Sequence, residues 1–89
     1  MNIGFGDALA VLRDGGKVAR RGWNGKDMYL YLVTGGTFIV NRPPLTRHIG
    51  LGESATYRDH IDMRTVDGSL VPWVASQSDL LAWDWHEVP

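Results

Sequence analysis

Two stretches hold most of the residues that could do chemistry. They are Arg20-Arg21-Gly22-Trp23-Asn24-Gly25-Lys26 and Val71-Pro72-Trp73-Val74-Ala75-Ser76-Gln77-Ser78-Asp79-Leu80-Leu81-Ala82-Trp83-Asp84-Trp85. Each sets a tryptophan beside hydrogen-bonding side chains and a backbone break. A flat aromatic face ringed with donors suits a nucleobase and its phosphates. In the first stretch Trp23 would stack on the base, Asn24 would read its polar edges, and Arg20, Arg21 or Lys26 would meet phosphate. Neighbouring strand residues point to opposite faces, so one site takes at most one of Arg20 and Arg21. In the second, Trp73 precedes Ser76-Gln77-Ser78-Asp79, the start of a helix whose free N–H groups suit an anionic or polar ligand. Asp79 there would repel phosphate but bind ribose hydroxyls or an adenine amino group.

Packing accounts for the same residues without a ligand. Trp23 would fold back on the N-terminal helix, and Asn24 would take the left-handed turn position before Gly25. Trp73 would be a core residue, and capping alone explains Ser76 and Asp79. Trp83 and Trp85 share one face of the last strand and read as core or interface.

Other constellations are weaker. Asp59-His60-Ile61-Asp62 looks like a metal site, but on a strand only His60 and Asp62 converge, and two ligands do not make a zinc centre. His48 and His86 have no visible partners. No Ser-His-Asp arrangement, Walker-type loop or GxGxxG occurs, and no carboxylate pair stands out for acid–base work. The residues thus point to a protein that holds a nucleotide rather than one that changes it. No catalytic residue, metal or cofactor is expected.

The elements that must position these groups can be read from period and punctuation. Phe5 to Arg13 is a helix, with Phe5, Leu9 and Leu12 on one face, Ala8 beside them, and Gly15-Gly16 as its left-handed stop. Lys17 to Arg21 is a short strand and Gly22 to Asp27 a turn. Met28 to Thr34 is a strand apolar or aromatic on both faces, so both should be covered. The helix supplies one cover and a second subunit would supply the other. Gly35 to Thr56 reads as a long irregular loop, with a strand in Thr37 to Val40. Tyr57 to Val66 is a strand with Ile61 and Met63 inward and His60, Asp62 and Arg64 outward. Asp67-Gly68 makes a two-residue hairpin turn. Ser69 to Trp73 returns, Ser76 caps a helix over Gln77 to Ala82 with Asp79 in a capping box, and Trp83 to Val88 is the last strand. The class is α+β: a small antiparallel sheet with an N-terminal helix and a short C-terminal helix.

Composition bounds the rest. The 89 residues make a single domain over 1–89,. Such a chain buries only roughly 60–65% of its unfolded surface and usually needs help from disulfides, a metal or assembly. There is no cysteine, so a homo-oligomer is expected. A net charge of −1 argues against a DNA or RNA polymer as partner. The first seven residues show no secretory leader, and no apolar run has membrane-spanning length.

Phe5-Gly6-Asp7-Ala8-Leu9, Val18-Ala19-Arg20-Arg21-Gly22-Trp23-Asn24-Gly25-Lys26, Met28-Tyr29-Leu30-Tyr31-Leu32, His60-Ile61-Asp62-Met63-Arg64-Thr65, Asp67-Gly68 and Val71 to Trp85 together resemble, in order, the second class of phage Thoeris anti-defence proteins. The likeness covers nearly the whole chain except the Gly35–Thr56 region. It implies a non-enzymatic sponge in the cytoplasm of the infected bacterial host. Such proteins bind cyclic ADP-ribose isomers made by TIR-domain enzymes, and some also take CBASS cyclic dinucleotides at separate sites. The resemblance further implies a homotetramer with ligand pockets between subunits. Its pattern puts Trp23 and Asn24 first on the ligand, then Ser76, Gln77 and Asp79, with Arg20 or Arg21 on phosphate. A sponge mainly for cyclic oligonucleotides, or a phage structural or protein-interaction module, are the alternatives.

Overall fold

A computed structural model describes all residues, 1–89. Helix α1 (Phe5–Arg13) is followed by strands β1 (Lys17–Arg20), β2 (Tyr29–Val33) and β3 (Gly36–Ile39), then α2 (Leu45–His48) and β4 (Ser54–Tyr57). The chain ends with β5 (His60–Arg64), β6 (Leu70–Pro72), α3 (Gln77–Leu81) and β7 (Trp85–Val88). Five strands form one sheet in the order β6-β5-β2-β1-β7, and β3 and β4 form a separate ribbon. Every pairing is antiparallel, so the class is the α+β expected.

Helix α1 lies on one sheet face. Its apolar stripe places Ala8 and Leu12 against Val18, Leu30 and Trp85, all fully buried, with Phe5 and Leu9 at the margin. Burying each of the larger side chains stabilises the fold by about 1.5–3 kcal/mol. The stop is the one foreseen. Gly15 has φ 90°, and the Gly15 and Gly16 N–H groups donate to the Leu12 and Val11 carbonyls,.

Register fixes which residues share a face. Leu30 pairs with Met63 and Leu32 with Ile61, placing these beneath α1. Tyr29, Tyr31 and Val33 pair with Arg64, Asp62 and His60 on the other face. The chain lays no helix on that second face.

Four local expectations are corrected. Gly35 to Thr56 is not mainly loop. It forms an arm of β3, α2 and β4, with Phe38 stacked on Tyr57 at 5.3 Å and Val40 buried near the tip. Tyr57 to Val66 is not one strand: Tyr57 pairs with Gly36 in the arm, and β5 starts only at His60. The Gly35 N–H donates to Asp59 Oδ1 at 2.8 Å and closes the crossing. The β5–β6 loop holds three residues rather than two. The Thr65 N–H donates to the Ser69 carbonyl and the Gly68 N–H to Thr65, while Gly68 takes φ 88°,. The Asp67 carboxylate accepts from the Thr65 hydroxyl and the Ser69 N–H, which hold its pKa down at about 2. Finally, Trp83 and Trp85 do not share a strand face. Trp83 lies in the bend before β7 and is 80% exposed, whereas Trp85 is wholly buried.

Candidate functional site

Strand alternation separates the two arginines. Arg20 pairs with Trp85 in the β1–β7 ladder and turns toward α3. Arg21 follows on the opposite face, where its Nε donates to Asn2 Oδ1. Their side chains leave opposite faces of the strand, as alternation requires, yet both arginines border the cleft beside the Trp23 turn, so that cleft is not limited to one of them.

Arg20 is held by two carboxylates. Its Nη1 donates to Asp79 Oδ1 at 2.9 Å and its Nε to Asp84 Oδ1 at 2.8 Å. Asp84 Oδ2 accepts from the Gly22 N–H at 2.8 Å, so one carboxylate holds both the arginine and the turn after it. Asp79 also accepts from Trp23 Nε1 at 3.4 Å and from the Ser76 N–H at 3.3 Å. The Ser76 hydroxyl accepts from the Asp79 N–H at 3.0 Å, completing the expected capping box,.

The electrostatics follow from these bonds. The Asp84 and Asp79 carboxylates keep the Arg20 guanidinium above its usual value. The Arg20 bond holds the Asp84 carboxyl below the carboxylate range against its burial. Burial pushes the Asp79 carboxyl up, but bonds from Arg20, Ser76 and Trp23 outweigh it and hold the group low. Two carboxylates meet one guanidinium, so the cluster carries no free positive charge.

Aromatic packing locks the same residues from below. Trp85 receives Trp23 edge-on at 5.4 Å and Trp73 edge-on at 6.0 Å, with Phe5 tilted at 5.3 Å. Its Nε1 donates to the Asp79 carbonyl at 2.9 Å. Such aromatic pairs add about 0.5–1.5 kcal/mol each beyond area burial.

The structure therefore brings Arg20, Trp23, Trp73, Ser76 and Asp79 into one cluster around Trp85. Asn24 and Gln77 sit exposed at its rim, and Arg21 lies across the sheet. Trp23 is half-buried and folds back on Trp85, while its turn lines a cleft of about 370 Å³ with Arg21, Met28 and His86. Asn24 does not take the left-handed position; Asp27 does, at φ 62°. His60 Nε2 and Asp62 Oδ1 do converge, at 3.6 Å, and no third His, Cys, Asp or Glu joins them. Sequence reasoning missed Asp84 as the second partner of Arg20. The available signal was its position beside the strand residue that pairs with Arg20.

The model of the Thoeris anti-defense 2-like domain matches residues 3–88. Thoeris anti-defense 2 of Bacillus phage SP01 is 37% identical over 89 residues, covering 97% of this chain and 94% of that one. The match runs through both tryptophan stretches and through the arm. The chain belongs to the Thoeris anti-defense 2-like family, and its role is that of a phage anti-Thoeris protein.

Proposed function

We propose that this protein sequesters a cyclic ADP-ribose isomer made by TIR-domain enzymes, and so keeps the signal from the Thoeris effector without cleaving it. The observation that carries this reading is the chain-long match to the anti-defense family, joined to a preformed aromatic and hydrogen-bonding cluster at the two stretches that suit a nucleotide. The Arg20–Asp79–Asp84 bonds fix the Trp23 turn to α3 before any ligand arrives, and such preorganisation lowers the entropic cost of binding. With Arg20 engaged, the phosphate donors are Arg21 and Lys26. Asn24, Ser76 and Gln77 supply polar contacts at the rim. Both carboxylates of the cluster are committed to hydrogen bonds, which supports binding over acid–base chemistry.

The working form is a homotetramer in the host cytoplasm, with pockets completed between subunits. Supporting assembly, Leu70, Val74, Leu81 and Trp83 are more than half exposed, and Leu81 and Trp83 line one cleft together with Phe5 and Leu80. Cyclic dinucleotides of CBASS defence are the second ligand class, at a separate site.

Calorimetric titration with a glyco-linked cyclic ADP-ribose isomer, and in parallel with a cyclic dinucleotide, tests the reading. A sponge near nanomolar Kd corresponds to about −12 kcal/mol. The expected result is tight binding at fewer than one ligand per chain, recovery of the ligand with unchanged mass after heat release, and loss of binding in Trp23→Ala at unchanged oligomeric state. Silence with both ligands overturns the proposal and favours a phage structural or protein-interaction module. A changed ligand mass makes the protein an enzyme instead.

A further inference from the structure

His86 stands beside Arg21 on the sheet face away from α1. It pairs with Ala19 across the β1–β7 ladder, and Arg21 lies two residues beyond Ala19, hence on the same side. Both residues wall the cleft of about 370 Å³ beneath the Trp23 turn and a second cleft of about 410 Å³ that opens past Ile3 and Glu87. The imidazole Nδ1 is buried and has no hydrogen-bond partner. Buried polar atoms rarely stay unpaired, because desolvating one without a partner is unfavourable.

The chemistry of the missing partner is restricted by Arg21. A guanidinium only donates, and this one makes no ion pair; its single bond is the Nε contact with Asn2. A group that serves Arg21 and His86 together must therefore accept hydrogen bonds, and negative charge on it complements the guanidinium that has no ion-pair partner. A phosphoryl group does both, with oxygens enough for a guanidinium and an imidazole at once. Trp23 lines the same cleft, so an aromatic surface lies next to the two donors.

We infer that Arg21 and His86 form a phosphate subsite that holds a phosphoryl group of a nucleotide lying against the Trp23 turn, in a cleft that Arg20, neutralised by its two carboxylates, also borders. The inference rests on the reading that the chain binds a phosphorylated nucleotide, and it names the groups that read the phosphate. The surroundings give it a pH dependence. Burial, then Arg21 and the terminal amine, lower the basicity of the imidazole, while the Asp84 carbonyl and carboxylate raise it. Asp27 of the turn, Asp7 of α1 and Glu87 of the same strand also line the two clefts. An arriving phosphate favours the protonated ring, so affinity rises as pH falls through the His86 titration.

The test uses the full chain and follows the imidazole signals of His48, His60 and His86 by NMR across pH, alone, with inorganic phosphate, and with the cyclic ADP-ribose isomer. The His86→Gln variant assigns its signal. Expected is an upward move of the His86 midpoint by about one pH unit, equivalent to about tenfold tighter binding of the protonated form, with His48 and His60 unmoved. His86→Gln and Arg21→Gln should each weaken calorimetric binding about tenfold, with His86→Gln also removing its pH dependence and keeping the wild-type melting temperature. Tight nucleotide binding with an unmoved His86 and unchanged affinity in both variants overturns the subsite and leaves the sponge reading intact. A His86 shift with inorganic phosphate but no nucleotide binding keeps the anion subsite and removes the sponge reading. No response to either ligand removes both.

Discussion

Replacing Arg20 with alanine separates a structural arginine from a ligand-binding one. The side chain makes two charge-assisted hydrogen bonds, to Asp79 and Asp84. Each such bond contributes about 1.5–3 kcal/mol when well shielded. Here 20% of the arginine side chain, 15% of Asp79 and 29% of Asp84 remain exposed, so solvent screening and side-chain entropy take back much of that sum. A net loss of about 2 kcal/mol is expected, or a fall in Tm of roughly 8–16 °C for a domain of this size. A double-mutant cycle with Asp79→Asn should show a coupling of about 1 kcal/mol, since the two side chains share a bond. The pH profile follows from the carboxylates. Both Asp79 and Asp84 are held below the usual carboxylate range in the fold, so their stabilisation is complete above the unfolded value of about 3.9. It is lost as pH falls through their folded values. The gap between wild type and Arg20→Ala should be constant from about pH 8 to 5 and close below about pH 4. Thermal unfolding by circular dichroism across that range reads all of this. An Arg20→Ala protein that melts with the wild type yet loses its nucleotide would refute the reasoning, for Arg20 would then serve the ligand and not the fold.

Two further outcomes are expected. Trp85→Ala empties the centre of the aromatic cluster and should cost about 3–5 kcal/mol, enough to abolish cooperative unfolding and scatter the Trp23, Trp73 and Phe5 ring signals in NMR; a variant that keeps sharp dispersed signals would show that Trp85 is not the hub. Gly35→Ala should destabilise by about 1–3 kcal/mol, because its Cβ would collide with the Tyr57 carbonyl, whereas Gly36→Ala meets nothing within 4 Å and should stay within about 0.5 kcal/mol; equal melting temperatures for the pair would contradict the crossing at the base of the arm.

Local pattern alone determined much of this protein. The stripe of Phe5, Ala8, Leu9 and Leu12 dictates a helix that must bury one face, and Gly15 ends it wherever it packs. Alternation placed Ile61 and Met63 inward, and Ser76 with Asp79 could be read as a cap because a capping box closes within four residues. The same alternation separated Arg20 from Arg21, but it could not say which partners waited on each side. Those partners come from far along the chain. Asp84 reaches Arg20 across 64 positions and Asp79 across 59, and no local period carries such information. The sequence marked a strand over Thr37 to Val40, which is β3 (Gly36–Ile39), but its partner β4, and with it the arm, was missed for a related reason. Ser54 to Tyr57 is short and mostly exposed, so no buried face marks it, and only its pairing makes it a strand. Trp83 and Trp85 differ by two positions and should share a face, yet the strand begins at Trp85 because the Ile3 bridge and the Arg20 pairing start there. Side-chain period is a property of the backbone within one element. Which charges neutralise each other, and which tryptophan is buried, depend on contacts that exist only once distant elements have packed.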